Sequence, residues 1–341
     1  MPGTLLKKGS LAPAGNADTL GLLLREIDPP FGSGQTVGIK LHWGERGNGT
    51  FLPACLAKEI VGWLKELGAL PFVFDTTVLY SGGRRTGKDA LDTAAAHGYS
   101  ADYLGCPVVI ADGLDGRDVL DIPAGFKHFP SVQVASLIGR TAGFVVFSHF
   151  KGHLEAVFGG ALKNISMGFA SRAQKQRIHA DAYPELRTED CRRCGDCVAL
   201  CPVGAARFAG DYPSYSRELC IGCAQCIALC PQSALRILWG EDHEAFLEKL
   251  VETAAAVWRI IGKRTVLINA LLNIASECDC MTGDHPCIAP DFGFVAGYHP
   301  LAVDRESLRI VGSAPFVREH PQIPWERQFS YAEEIGFYPE R

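Results

Sequence analysis

The chain has 341 residues, a net charge of −5, 47% hydrophobic residues and 21% charged ones. That length allows two or three domains with a sizeable core. The charge argues against charge-driven binding to nucleic acid or an anionic membrane, and no apolar run reaches transmembrane length.

Lys7 and Lys8 are followed by Gly, Pro, Asn and Asp, so the start lacks the apolar core of a signal peptide and a cytoplasmic protein is expected. Thr36–Trp43 (TVGIKLHW) reads as a strand. Pro53 opens a helix that carries Ala57, Ile60, Val61, Leu64 and Leu67 on one face and stops at Gly68. Leu70–Asp75 is the next strand, Lys88–His97 a short helix closed by Gly98, and Pro107–Asp112 and Gly143–His149 are further strands. Leu154–Leu162 is read as helical, although two glycines weaken it. Alternating helices and almost wholly apolar strands predict an α/β fold: a mostly parallel sheet with helices on both faces. His42, Asp75, Asp112 and His149 gather just after strands, where such sheets bind ligands.

Composition changes near Pro184, and from there to about Leu238 the chain is dense in cysteine. The α/β pattern then resumes with a helix at His243–Ile261, strands at Thr265–Asn269 and Phe292–Val295, and a helix at Pro300–Ile310. The expected organisation is an α/β domain from residues 1–183 and 241–341 that is interrupted by an insertion at 184–240.

The insertion holds two runs of C-x2-C-x2-C-x3-C-P, at Cys191, Cys194, Cys197 and Cys201 and again at Cys220, Cys223, Cys226 and Cys230. This is the spacing of a two-cluster bacterial ferredoxin, in which the fourth Cys of each run ligates the other cluster. It predicts two [4Fe-4S] clusters, one on Cys191, Cys194, Cys197 and Cys230, the other on Cys220, Cys223, Cys226 and Cys201. Zinc sites use two separated C-x2-C pairs, which is a different pattern. Val198, Leu200, Ile221, Ile227 and Leu229 supply an apolar shell that limits water.

Outside the insertion, Cys278-Asp279-Cys280, then His285 and Cys287, follow a strand in a Gly/Pro-rich loop and are candidates for a third metal or substrate site; small buried cysteines under the insertion are the alternative. His149, Lys151 and His153 follow another strand, and the two histidines would face together on a helical turn with Lys151 as an anion anchor; a satisfied loop histidine is the alternative for either. Lys40 and His42 share one strand face. Gly82–Asp89 (GGRRTGKD) imitates a P-loop, but Asp89 stands where Ser or Thr would hold Mg²⁺. Tyr80, Arg84, Arg85 and Lys88 remain as an anion-facing loop.

Several stretches carry a family likeness: KLHWGERGN at 40–48, DTTVLYSGGRRTGKDALDTAAAHGY at 75–99, SHFKGHLEAVFGGALKNISMGFASRAQK at 148–175, CDC at 278–280, PDFGFVAGYHPLAVD at 290–304 and WERQFSYAEEIGF at 325–337. On these the chain resembles the iron–sulfur branch of domain-of-unknown-function family 362 over nearly its whole length. The resemblance implies a ligand-binding or catalytic α/β domain wired to two clusters. It implies a polar residue where Cys287 stands, so a thiol-rich site would be particular to this protein.

The expected function is a redox protein whose clusters pass electrons to a substrate or a third centre at the strand ends. His42, His149, Lys151 and His153 are the catalytic candidates, the histidines as proton shuttles. Lys40, Glu45, Asp75, Arg84, Lys163 and Asn164 are the candidates for binding a small anionic substrate. A redox partner protein is expected. The alternatives are a non-catalytic carrier that docks a larger oxidoreductase, and a metal-transfer factor that uses the CDC cysteines.

Overall fold

The computed structural model describes residues 5–7, 13–79, 82–179, 184–220, 225–236 and 242–339; Lys8, Tyr80, Ile221, Cys223 and Leu238, all named above, lie outside them. The chain begins with β1 (Leu5–Lys7), α1 (Pro13–Leu24), β2 (Thr36–Lys40), α2 (Ala54–Glu66), β3 (Leu70–Asp75), α3 (Gly87–Ala96), α4 (Ala101–Leu104) and β4 (Val108–Ile110). A hairpin of β5 (Val119–Pro123) and β6 (Ser131–Ala135) leads to β7 (Gly143–His149). A second hairpin, β8 (Lys151–His153) with β9 (Val157–Gly159), precedes α5 (Ala161–Phe169) and α6 (Arg172–His179).

The cysteine-rich segment contributes β10 (Glu185–Leu186), α7 (Asp196–Ala199), β11 (Ala206–Ala209), β12 (Tyr212–Tyr215), α8 (Gln225–Ala228) and β13 (Leu235–Arg236). After it come α9 (His243–Ile261), β14 (Thr265–Leu271), β15 (Gly293–Gly297), α10 (Pro300–Val311), α11 (Ala314–Glu319) and α12 (Arg327–Glu334).

Seven strands form the main sheet in the order β1-β15-β14-β7-β2-β3-β4. The pairings from β14 through β7, β2 and β3 to β4 are parallel, whereas β15 lies antiparallel to both β14 and β1. Every residue of β7 is buried. Its period of two sends Phe144 and Val146 into one core with α5 and α9, and Val145 and Phe147 into the other with α2. Two covered faces explain why these strands read as unbroken apolar runs. The chain moves outward from β2 to β3 and β4, then returns to place β7 on the other side of β2. A crevice therefore opens at the carboxyl ends of β2 and β7, the switch point where ligands bind in such sheets.

The expected helix at Leu154–Leu162 is not formed. Residues 154–156 turn, Val157–Gly159 is a strand, and α5 starts only at Ala161. Val157 takes a positive φ of 68° and Gly160 separates the strand from the helix. His149, Lys151 and His153 accordingly stand on extended chain, not on a helical turn. GGRRTGKD builds a helix start: Thr86 caps α3 in a capping box with Asp89, and Lys88 pairs with Asp92 in solvent at 2.8 Å.

Within the cysteine-rich segment the second run repeats the first, Tyr215 standing for Leu186 and Leu235 for Ala206. Leu186 pairs with Leu235, and Tyr215 with Ala206. Each half therefore pairs its leading strand with the trailing strand of the other half, and α7 packs on α8 between them. Cys197, Ile227 and Leu235 form a small core there with Leu79 of the α/β domain.

Candidate functional site

A cavity of about 440 Å³ opens at the carboxyl ends of β2, β3 and β7. Lys40, His42, Glu45, Asp75 and Arg84 line it from the first half of the chain. His149, Lys151, His153, Lys163 and Asn164 line it from β7, β8 and α5, and Cys278 and Cys280 from the loop after β14. One site thus gathers all these sequence candidates. Cys287 does not join them: it is exposed, and its thiol meets Asn273 Oδ1 at 2.9 Å. Cys287 leaves the expected third metal set because the bridge between Ala275 and Cys287 holds it elsewhere on the loop.

The side chains divide into two networks and a reactive corner. In the first network Lys40 Nζ contacts Asp75 Oδ1 at 2.9 Å, Leu41 O at 2.8 Å and Asn164 Oδ1 at 3.0 Å. Arg84 Nη1 contacts Asp75 Oδ2 at 3.2 Å and His42 Nδ1 at 2.9 Å, and its Nε reaches Glu45 at 3.4 Å. Burial alone would push the Asp75 carboxyl up, but Lys40, His42 and Arg84 together outweigh it and hold the carboxyl far below the carboxylate range. Burial, with Arg84 beside it, pushes His42 down to about 4, so its ring is neutral at physiological pH. Gly168 makes the network fit, since a Cβ there would stand 2.3 Å from Lys40 Cε. Lys40, Asp75 and Asn164 are occupied with one another and position the wall.

Asp279 centres the second network. It is fully buried and takes His149 Nδ1 at 2.9 Å, Lys151 Nζ at 2.8 Å and Thr50 Oγ1 at 3.2 Å. His149 Nε2 faces the carbonyls of Leu272 and Asn273 at 2.8 and 3.1 Å. Both ring nitrogens of His149 are engaged, so neither is left to carry a substrate's proton. This removes His149 from the proton shuttles and makes it an anchor of the loop.

The reactive corner holds Cys278, Cys280, Lys163 and His153. Cys280 N–H donates to Cys278 Sγ at 3.5 Å, and Lys163 Nζ stands 3.9 Å from the same sulfur. The bond from the Cys280 thiol holds Cys278 well below the usual thiol range; burial opposes it, and Lys163 and Lys151 reinforce it. The same bond pushes Cys280 well above that range. His153 Nδ1 accepts the N–H groups of Glu155 and Ala156 at 3.2 and 3.1 Å, which leaves its proton on Nε2. Burial pushes its pKa far down.

Sequence reasoning missed Lys175, Glu155, His179 and Leu79, which also line the cavity. Lys175 Nζ donates to Thr76 Oγ1 at 2.6 Å and to Thr77 O, and burial lowers its pKa to about 8. Its helix, RAQKQRIH, reads as a solvated surface, yet Arg172, Gln174, Lys175 and Gln176 are all buried.

In the cysteine-rich segment Cys191, Cys194, Cys197 and Cys230 line a second cavity. The loop curls around it with Arg193 at φ 62° and Gly195 at φ 81°. Arg193 N–H points at Cys191 Sγ (3.4 Å), Ala205 N–H at Cys201 Sγ (3.2 Å) and Ala234 N–H at Cys230 Sγ (3.3 Å). Among the described residues no group of three or more His, Cys, Asp or Glu is gathered around a single ion. Leu79 lines the large cavity and packs against Cys197.

Among the described residues no helix is long and apolar enough to cross a membrane. No curated protein matches the chain. The solved structures that resemble it include these two. A Thermotoga maritima protein from a structural genomics programme has 11% identity and a TM-score of 0.47, with 97% of this chain and 61% of that one covered. The lactate racemase apoprotein from Thermoanaerobacterium thermosaccharolyticum has 13% identity and a TM-score of 0.40, with 79% and 51% covered. The chain spans less than two thirds of either. A family profile described as "Domain of unknown function (DUF362)" matches residues 37–309, so the chain belongs to the DUF362 family.

Proposed function

We propose that this DUF362 protein is an iron–sulfur redox protein in which two [4Fe-4S] clusters serve an acceptor bound in the strand-end cavity. Cys191, Cys194, Cys197 and Cys230 would hold one cluster, and Cys201, Cys220, Cys223 and Cys226 the other. When bound, each cluster supplies one electron at a time.

The donor set suits a cubane better than a lone ion. A cubane spreads its thiolates over four corners, and backbone N–H groups aimed at sulfur stabilise their charge. The crossed strand pairing supports a ferredoxin-type module with exchanged fourth ligands. The observation that carries the wiring is Leu79, shared between the cavity wall and the core around Cys197. On the acceptor side, Lys163 and Lys175 form no ion pair at contact distance with a carboxylate among the described residues, which favours a small anion.

A redox partner protein is part of this reading. Val203, Phe208 and Leu219 expose apolar surface on the cysteine-rich segment, which also favours the second reading, a carrier that docks a larger oxidoreductase. The test is electron paramagnetic resonance of anaerobically prepared, dithionite-reduced protein. Two interacting [4Fe-4S]⁺ centres are expected, and a protein with no paramagnetic iron centre after reduction overturns the reading.

A further inference from the structure

We propose that Cys278 and Cys280 form a reversible dithiol–disulfide couple on the cavity wall, and that the acceptor it serves is a small anionic disulfide. The pair rests on the iron–sulfur reading for its electron source. Its own geometry stands apart from that reading.

Asp279, between the two cysteines, is fastened by His149, Lys151 and Thr50, while both neighbouring thiols line the cavity. Asp279 also accepts Glu45 N–H on its carbonyl at 2.8 Å. The turn folds Cys280 N–H back onto Cys278 Sγ at 3.5 Å. Two Cα steps in a turn leave residues i and i+2 roughly 5–7 Å apart, within disulfide reach. Neither cysteine is in a disulfide in this structure. Cys287, which would complete a metal set, is held elsewhere.

Lys163 touches no carboxylate among the described residues, and Cys278 Sγ is the contact it makes. Its ammonium favours a thiolate at Cys278 and attracts an anionic partner to it. In the exchange, the Cys278 thiolate attacks one sulfur of the disulfide and expels the other as a thiolate. Cys280 then attacks Cys278 Sγ in the mixed disulfide, gives its proton to a departing thiolate, and closes the Cys278–Cys280 bond. Reopening that bond takes two electrons and one proton, and it leaves a Cys278 thiolate and a Cys280 thiol. Two one-electron centres in the same chain match that demand.

The test exposes anaerobic full-length protein to glutathione disulfide, alkylates free thiols and maps them by peptide mass. Cys278 and Cys280 are expected to become disulfide-linked while Cys287 stays alkylatable. Cys280→Ser should trap glutathione on Cys278, and Lys163→Met should slow closure about tenfold. The proposal is overturned if both thiols stay reduced under excess disulfide, if each is capped independently, or if a metal ion co-purifies on the pair. Iron and sulfide are assayed on the same samples. Closure in protein that lacks clusters sinks the iron–sulfur reading alone, and intact clusters without closure sink this proposal alone.

Discussion

Arg172 Nη1 donates to Gln225 Oε1 at 3.1 Å across the junction between the α/β domain and the cysteine-rich segment. The same guanidinium holds Val78 O at 3.1 Å and Arg85 O at 3.0 Å. Gln225 opens α8, immediately before Cys226, and Val78 precedes Leu79. One buried side chain therefore fixes α8 of the cysteine-rich segment, the cavity wall and the Arg84 loop together. Replacing Arg172 by Met removes three charged hydrogen bonds, each worth about 1.5–3 kcal/mol. The expected outcome is faster amide exchange across residues 184–236 and quicker loss of iron under chelator. Unchanged exchange in that segment would mean the junction is held elsewhere.

Asp279→Ala leaves Lys151 and His149 buried without their shared carboxylate. Breaking a buried pair from one side costs about 3–5 kcal/mol. A lower unfolding midpoint is expected, together with faster alkylation of Cys278 and Cys280 as the loop loosens. An alanine variant as stable as the parent would show that the network carries no weight.

Gly152 sits where its Cβ would stand 1.9 Å from Ser276 O, on the strand that backs the CDC loop. Gly152→Ala must push that loop outward, at about 1–3 kcal/mol. Slower disulfide closure between Cys278 and Cys280 and a lower midpoint should appear together.

Lys175 gives a pH signature. Its folded pKa, about 8, lies below the unfolded value of 10.5. Between those values the unfolded chain binds more protons, so stability rises with pH. Below about pH 8 the buried charge costs its full penalty, on the order of 3 kcal/mol, and the penalty is relieved as pH climbs toward 10.5. Lys175→Met lacks this slope. The wild type should therefore gain on the variant in denaturant midpoint from pH 8 upward, and parallel curves would refute the assignment.

Periodicity and caps made much of the frame legible. β3, β7 and α9 fall where the sequence puts them, because each buries one or both faces in a regular period. Positions after strands located His42, Asp75 and His149 in the cavity wall, since parallel topology carries strand ends to one edge, whereas Asp112 does not line it and is tied to Thr77. What failed was tertiary in origin. Leu154–Leu162 has helical composition, but the chain turns back there to pair β8 with β9. α6 buries Arg172 against Gln225 of the cysteine-rich segment and Lys175 against Thr76 and Thr77, and no local pattern signals that. His149 looked like a proton carrier until both its nitrogens proved to be bound. Cys287 is close to the CDC pair in sequence and separate from it in space.

The most direct measurement is iron, acid-labile sulfide and zinc per chain in anaerobically purified protein. Two cubanes predict about eight irons and about eight sulfides. A chain that holds zinc and no labile sulfide would contradict the account.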